Sequence, residues 1–291
     1  MKRALRIAVA VAALSLVGAP AALATTQTAQ SGNVTATFTF SGSYPHFTGL
    51  RLTIAQGSTV YYDEPVASKL CGTYCAPGSS SGLLGMGRRR LTAAPQQASV
   101  HVLDLDHDGQ PDVVLDLYSG GAHCCSIEQI FSFDPGTTTY TMTQRDFGDP
   151  GEEIVDLHHD GHYEFLTADD SFAYQFTDFA GSGLPIQILT FSDRRFFNVT
   201  RRYPRLIARD AARWMKAFNG MASRHYFDSV GMVAAWAADE ELLGHVKLVT
   251  SFLASQQKAG HLNSALSPEE PGGAGFVAKL RKFLRAHGYL R

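Results

Sequence analysis

Apolar and polar residues alternate along the first two-thirds of the chain. Val34, Ala36, Phe38 and Phe40 alternate with threonines, and Leu50, Leu52 and Ile54 repeat the period of two. That period puts every second side chain on one face of a pleated strand, so half-buried strands are expected here. Short apolar runs at 100–103, 113–117, 127–133, 139–143, 164–167, 172–176 and 186–191 are bounded by Gly, Pro, Asp and Ser. They predict further strands joined by turns. Residues 65–95, rich in Gly, Ser and Pro, predict a long loop. After Pro204 the spacing changes to three and four. Stretches 205–219, 222–243, 245–258 and 275–287 predict helices, with Gly220, Gly244, Gly260 and Gly288 where stops belong. The expected fold class is α+β, a β-rich region over 25–200 followed by a helical region over 201–291.

The first 24 residues form a separate unit. Lys2, Arg3 and Arg6 precede an apolar stretch over 7–17, and Ala22-Leu23-Ala24 supplies a small-x-small exit. This is the pattern of a signal peptide, which places the mature start at Thr25 and the protein in the periplasm or outside the cell. No later apolar run reaches the roughly 18 residues of a spanning helix, so no membrane span is expected after cleavage.

Charge is split between the regions. Residues 25–200 hold 8 Lys/Arg against 20 Asp/Glu, whereas 201–291 hold 14 against 7. The asymmetry suggests regions with different roles or a mutual attraction. The basic half lacks a dense cationic stripe, so nucleic acid is not an expected partner.

Part of the acidic excess falls in two loops. Asp104-Leu-Asp106-His-Asp108-Gly109-Gln110-Pro-Asp112 places three carboxylates at alternate positions, then a glycine for a sharp bend. Such a loop can turn Asp104, Asp106, Asp108, the Gln110 carbonyl and Asp112 around one hard cation, and an all-oxygen set favours calcium. Leu115 stands where an EF-hand carries its bidentate glutamate, and a strand rather than a helix follows, so the loop is not an EF-hand. The alternative is a solvated acidic turn. The pattern recurs 52 residues on as Asp156-Leu-His158-His-Asp160-Gly161-His162-Tyr-Glu164. Imidazole is a poor calcium ligand, so His158 makes this second site the weaker or an empty one. His158, His159 and His162 with Asp160 also allow a zinc reading, though without a helical H-E-x-x-H arrangement.

The two loops with their flanking strands resemble the FG-GAP or VCBS-type repeat of integrin α-chain heads and exported bacterial proteins. The resemblance spans about residues 98–180. It implies that each loop joins two strands of a blade and that the first holds calcium through Asp104, Asp106, Asp108, Asp112 and the Gln110 carbonyl. Asp156, Asp160 and Glu164 would be the counterparts in the second. Two copies do not close a propeller, which needs at least four blades, so an open assembly of sheets is expected. Members of this group mostly bind or scaffold.

Cys71, Cys75, Cys124 and Cys125 predict two disulfides in an exported chain. Adjacent cysteines on a strand or turn point to opposite sides, and a bond between them would strain the backbone, so each of Cys124 and Cys125 is expected to pair with one of Cys71 and Cys75. The leading function is non-catalytic binding or scaffolding of a protein or glycan ligand. One alternative is a hydrolase with a cleft between the halves, using His123 and Asp116. Another is redox or metal handling by His123, Cys124 and Cys125. No P-loop is present, and no G-x-G-x-x-G follows an expected strand.

Overall fold

A computed structural model describes residues 24–72, 75–78, 98–121, 124–222, 229–262 and 273–290. The signal-like segment up to Leu23, most of the 65–95 loop and His123 lie outside the described residues.

Three antiparallel sheets form in chain order. The first joins β1 (Ala24–Ser31), β2 (Val34–Ser43), β3 (His46–Gln56) and β4 (Thr59–Pro65) as a meander. The second contains β5 (Ala76–Pro77), β6 (Val100–Leu103), β7 (Asp112–Tyr118), β8 (Ser126–Asp134) and β9 (Thr139–Gly148). Both β5 and β6 pair with β7, which pairs in turn with β8. The third repeats the meander with β10 (Glu153–Val155), β11 (Glu164–Ala168), β12 (Ile186–Ser192) and β13 (Arg195–Asn198). Helices α1 (Pro204–Ala222), α2 (Val230–Leu242), α3 (Val246–Lys258) and α4 (Ala274–Ala286) follow. The α+β class read from the periodicity is the class observed.

The sheets stack face to face because side-chain alternation gives each strand two faces to bury. Val34, Ala36 and Phe38 of β2 pack with Val113, Leu115 and Leu117 of β7, joining the first sheet to the second. The intervening Val114, with Ile130 of β8, faces the other way. It packs with Phe165, Leu189 and Phe191 of the third sheet. The far face of the third sheet carries Leu166, Ile186 and Ile188, which meet Ile207 of α1. Strand β7 is therefore apolar on both sides, the pattern of a strand in a central sheet. Each fully buried Phe or Leu in these layers contributes roughly 1.5–3 kcal/mol.

One expected strand is absent. Residues 172–176 follow a 3-10 turn over Asp170–Phe172 and carry no strand pairing. Phe172 and Phe176 instead join Phe276, Phe283 and Tyr289 in the helical core. An apolar pair spaced by four reads as strand or helix face alike, and here the helices decided its burial.

Candidate functional site

Each acidic loop spans a hairpin, one between β6 and β7 and the other between β10 and β11. In the first, Asp104 accepts from the backbone N–H groups of Asp108 and Gly109, at 3.0 and 2.9 Å. Asp108 accepts from the Gln110 N–H at 2.7 Å. In the second, Asp156 accepts from Asp160 and Gly161 at 3.1 and 3.0 Å, and Asp160 from His162 at 3.0 Å. The glycines bend alike, with φ of 86° at Gly109 and 90° at Gly161, and His107 and His159 share φ near the left-handed region at 59° and 58°. Equivalent residues thus carry equivalent backbone bonds, a local geometry written by the repeated D-x-x-x-D-G spacing.

The loops touch. The Tyr163 N–H donates to the Leu105 carbonyl at 3.0 Å, and the rings of His107 and His162 lie 5.5 Å apart. Their carboxylates nevertheless differ. Asp104, Asp106 and Asp108 bring ligand oxygens within 4.8 Å of one another. Partial burial and the neighbouring Asp108 and Asp104 charges push the Asp106 carboxyl above its ordinary range. Asp112 completes this end of the loop from β7. It is buried, and its Oδ1 accepts from the Ser132 hydroxyl at 2.5 Å. Burial raises its pKa to about 7, against the pull of the Ser132 bond.

The second loop's side chains are engaged elsewhere. The His158 ring stacks on Tyr203 at 5.2 Å. Glu164 accepts from the Leu157 N–H at 3.1 Å and from the Tyr203 hydroxyl at 2.5 Å. Asp160 lies below its ordinary range, held there chiefly by the His162 N–H. His162 Nδ1 is 3.3 Å from Asp160. Among the described residues, Asp156, His158, Asp160, His162 and Glu164 do not gather into a group of three metal-capable atoms.

The cysteine pairing differs from expectation. Cys71 bonds Cys75, and Cys124 bonds Cys125, with no free cysteine among the described residues. The opposite-sides argument requires a strand, and β8 begins only at Ser126, so Cys124 and Cys125 are not held in alternation. Cys71 ends a 3-10 turn over Lys69–Cys71, which brings its Cα within 5.2 Å of that of Cys75. All four sulfurs being bridged, no thiol is left for the soft-metal reading.

No family model matches the chain, and no solved structure matches it. A probable thylakoid lumen protein of Synechocystis is 29% identical over 157 residues, covering 51% of this chain and 45% of that protein. An uncharacterized protein of Sinorhizobium fredii is 26% identical over 211 residues, covering 66% of this chain and 32% of that one. The chain spans less than half the length of either relative.

A cavity of about 320 Å³ does lie between the β-rich and helical parts, lined by Asp169, Asn198, Arg201 and Tyr289 among others. Asp116 is not among its lining residues. It sits instead in the second sheet, buried beside Glu128 and Glu152. That grouping escaped sequence reasoning, although a carboxylate inside the run Val113–Leu117 is itself a signal, since such a strand is buried on both faces.

Proposed function

We propose that this is an exported binding or scaffolding protein of FG-GAP/VCBS-like construction, stiffened by calcium in the Asp104 loop. The observation that carries the reading is the convergence of Asp104, Asp106 and Asp108 within 4.8 Å, with Asp112 behind them. Three carboxylates at one bend, with no cationic side chain bonded to them in the described hydrogen-bond network, suit a hard cation with oxygen ligands. The repeated loop on a repeated hairpin supports the family resemblance, and the three stacked meanders suit an open array of blade-like sheets. Export is supported by the signal-like N-terminus, by two disulfides and by similarity to a protein named for the thylakoid lumen. Among the described residues no helix is long and apolar enough to cross a membrane. The ligand class is a protein or glycan presented outside the cytoplasm.

Calorimetry on the purified chain tests the calcium reading. With binding near 0.1 mM and calcium at about 2 mM, occupancy adds roughly 1.8 kcal/mol to stability. Chelation then lowers Tm by about 4–7 °C. Asp108→Ala removes most of that sensitivity, and Asp160→Ala removes less. Equal Tm with and without chelator, together with no heat of calcium binding, defeats the reading.

A further inference from the structure

The second sheet carries a polar cluster that the acidic loops do not involve. Asp116 on β7 and Glu128 on β8 are direct cross-strand partners. Both project from the face that carries Val114 and Ile130, toward the third sheet. Glu152, just before β10, enters the same layer. All three are buried, at 1%, 0% and 0% exposure, and their ligand oxygens lie within 4.8 Å of one another. His101 on β6 joins them, its Nε2 3.4 Å from Asp116 Oδ2.

Crowded acids alone do not make a site. The deciding feature is Glu128, which is fully buried and aimed into the cluster; no N–H or hydroxyl donor reaches either of its oxygens, and its polar neighbours are the Asp116 and Glu152 carboxyls. The Ser126 hydroxyl serves Glu152 Oε2 at 3.0 Å, leaving Glu152 Oε1 without a donor. Arg145 stands opposite Glu128 in register. Its guanidinium instead lies over the Phe147 and Phe196 rings and reaches Gln187 at 3.4 Å. A buried carboxylate with no compensating positive charge costs several kcal/mol, so this cluster holds either shared carboxyl protons, toward which burial and the neighbouring acids push Glu128, or a cation.

We propose that Asp116, Glu128, Glu152 and His101 bind one divalent cation of the manganese-to-zinc series between the second and third sheets. Donors bound to one ion at roughly 2.0–2.6 Å lie within about 5 Å of each other, the spacing the three carboxylates show, with His101 Nε2 placed 3.4 Å from Asp116 beside them. Three carboxylates and an imidazole form a compact mixed oxygen and nitrogen set. Calcium seeks six to eight oxygens, whereas imidazole suits first-row transition metals. The Ala98 backbone stands beside the His101 ring, the position of the outer contact that orients a metal-binding imidazole. The His101 side chain is 25% exposed, while its Nε2 is buried beside Asp116.

Manganese is the probe, used on the full chain purified after export. Elemental analysis after loading and dialysis should find one manganese per chain in wild type and in Asp108→Ala, which spares this cluster. Pulsed electron paramagnetic resonance should show a nitrogen coupling that His101→Gln abolishes. Glu128→Gln, nearly isosteric, should weaken manganese binding by at least about tenfold while calcium binding at the Asp104 loop persists. The proposal is overturned if wild type retains no manganese, or if retention is indifferent to both His101→Gln and Glu128→Gln. A Glu128→Gln chain that is more stable than metal-loaded wild type also overturns it, because the cluster is then a set of shared carboxyl protons.

Discussion

The imidazole of His107 occupies the space above Gly161, so that a Cβ on Gly161 would lie 2.6 Å from His107 Nδ1. One loop's third-sheet glycine is thus the seat for the other loop's histidine, and the repeats are locked together at their bends. Gly109, the equivalent residue of the first loop, has open space where its Cβ would be.

This asymmetry separates backbone strain from packing. Both glycines have positive φ, so alanine at either costs about 1 kcal/mol through conformation. Gly161→Ala must also turn aside the exposed His107 ring and is expected to lose up to about a further 0.5 kcal/mol. Chemical denaturation of the two variants measures the difference, and equal losses would mean that the loops do not bear on each other. Gly161→Ala combined with His107→Ala should recover most of the extra loss.

The Tyr203 hydroxyl links the second loop to the entry of the helical region through Glu164. Both residues are buried, and burial, followed by the Glu164 carboxylate, raises the Tyr203 pKa. Tyr203→Phe leaves Glu164 Oε1 without that donor and should cost about 1–3 kcal/mol. The calcium binding proposed for the Asp104 loop should be unaffected, which isothermal titration of wild type and variant checks.

A pH dependence follows from the helical core. Asp239 of α2 is buried, and burial followed by the Asp210 charge pushes its pKa well above the ordinary range. Asp210 itself accepts from the Ile186 N–H, the Trp214 ring and Arg213. The folded chain therefore holds a proton on Asp239 that the unfolded chain releases near pH 4. Stability from this pair is present below that pH and declines as pH rises toward the folded pKa. Asp239→Asn supplies a permanent donor toward Asp210. It should flatten this slope and stabilise the protein at neutral pH by about 1–2 kcal/mol. Thermal melts from pH 4 to 8 read both effects, and an unchanged slope would place the proton elsewhere.

The disulfides give a covalent check. Non-reducing peptide mapping should find each bridge within one peptide, Cys71 to Cys75 and Cys124 to Cys125, with no link between the two segments. Replacing Cys71 and Cys75 together by serine should lower stability by about 2 kcal/mol, the value for closing so short a loop. A cross-link from 71 or 75 to 124 or 125 would refute this pairing.

The sequence by itself determined whatever depends on neighbours a few residues apart. Alternation placed β2 and β3, short apolar runs bounded by turn residues placed β6, β7, β8, β9, β11 and β12, and a period near 3.6 placed α1, α3 and α4, because local side-chain direction is set by the backbone. The spacing of Asp104, Asp108 and Gly109 likewise determined a loop that bonds its own N–H groups, and its copy at Asp156 folded the same way. Strand β1, polar along most of its length, gave no such alternation to read. Tertiary structure alone decided the rest. Whether residues 172–176 became a strand depended on the helices that cover Phe172 and Phe176. The partner of Cys71 depended on which sulfur came close in space, a matter of turn geometry. Asp116, Glu128 and Glu152 are separated along the chain and meet only because the β7–β8 register sets the first two opposite each other and sheet stacking brings the third above them. Long-range juxtaposition of this kind follows from packing, and packing is a property of the assembled layers that no local window of residues contains.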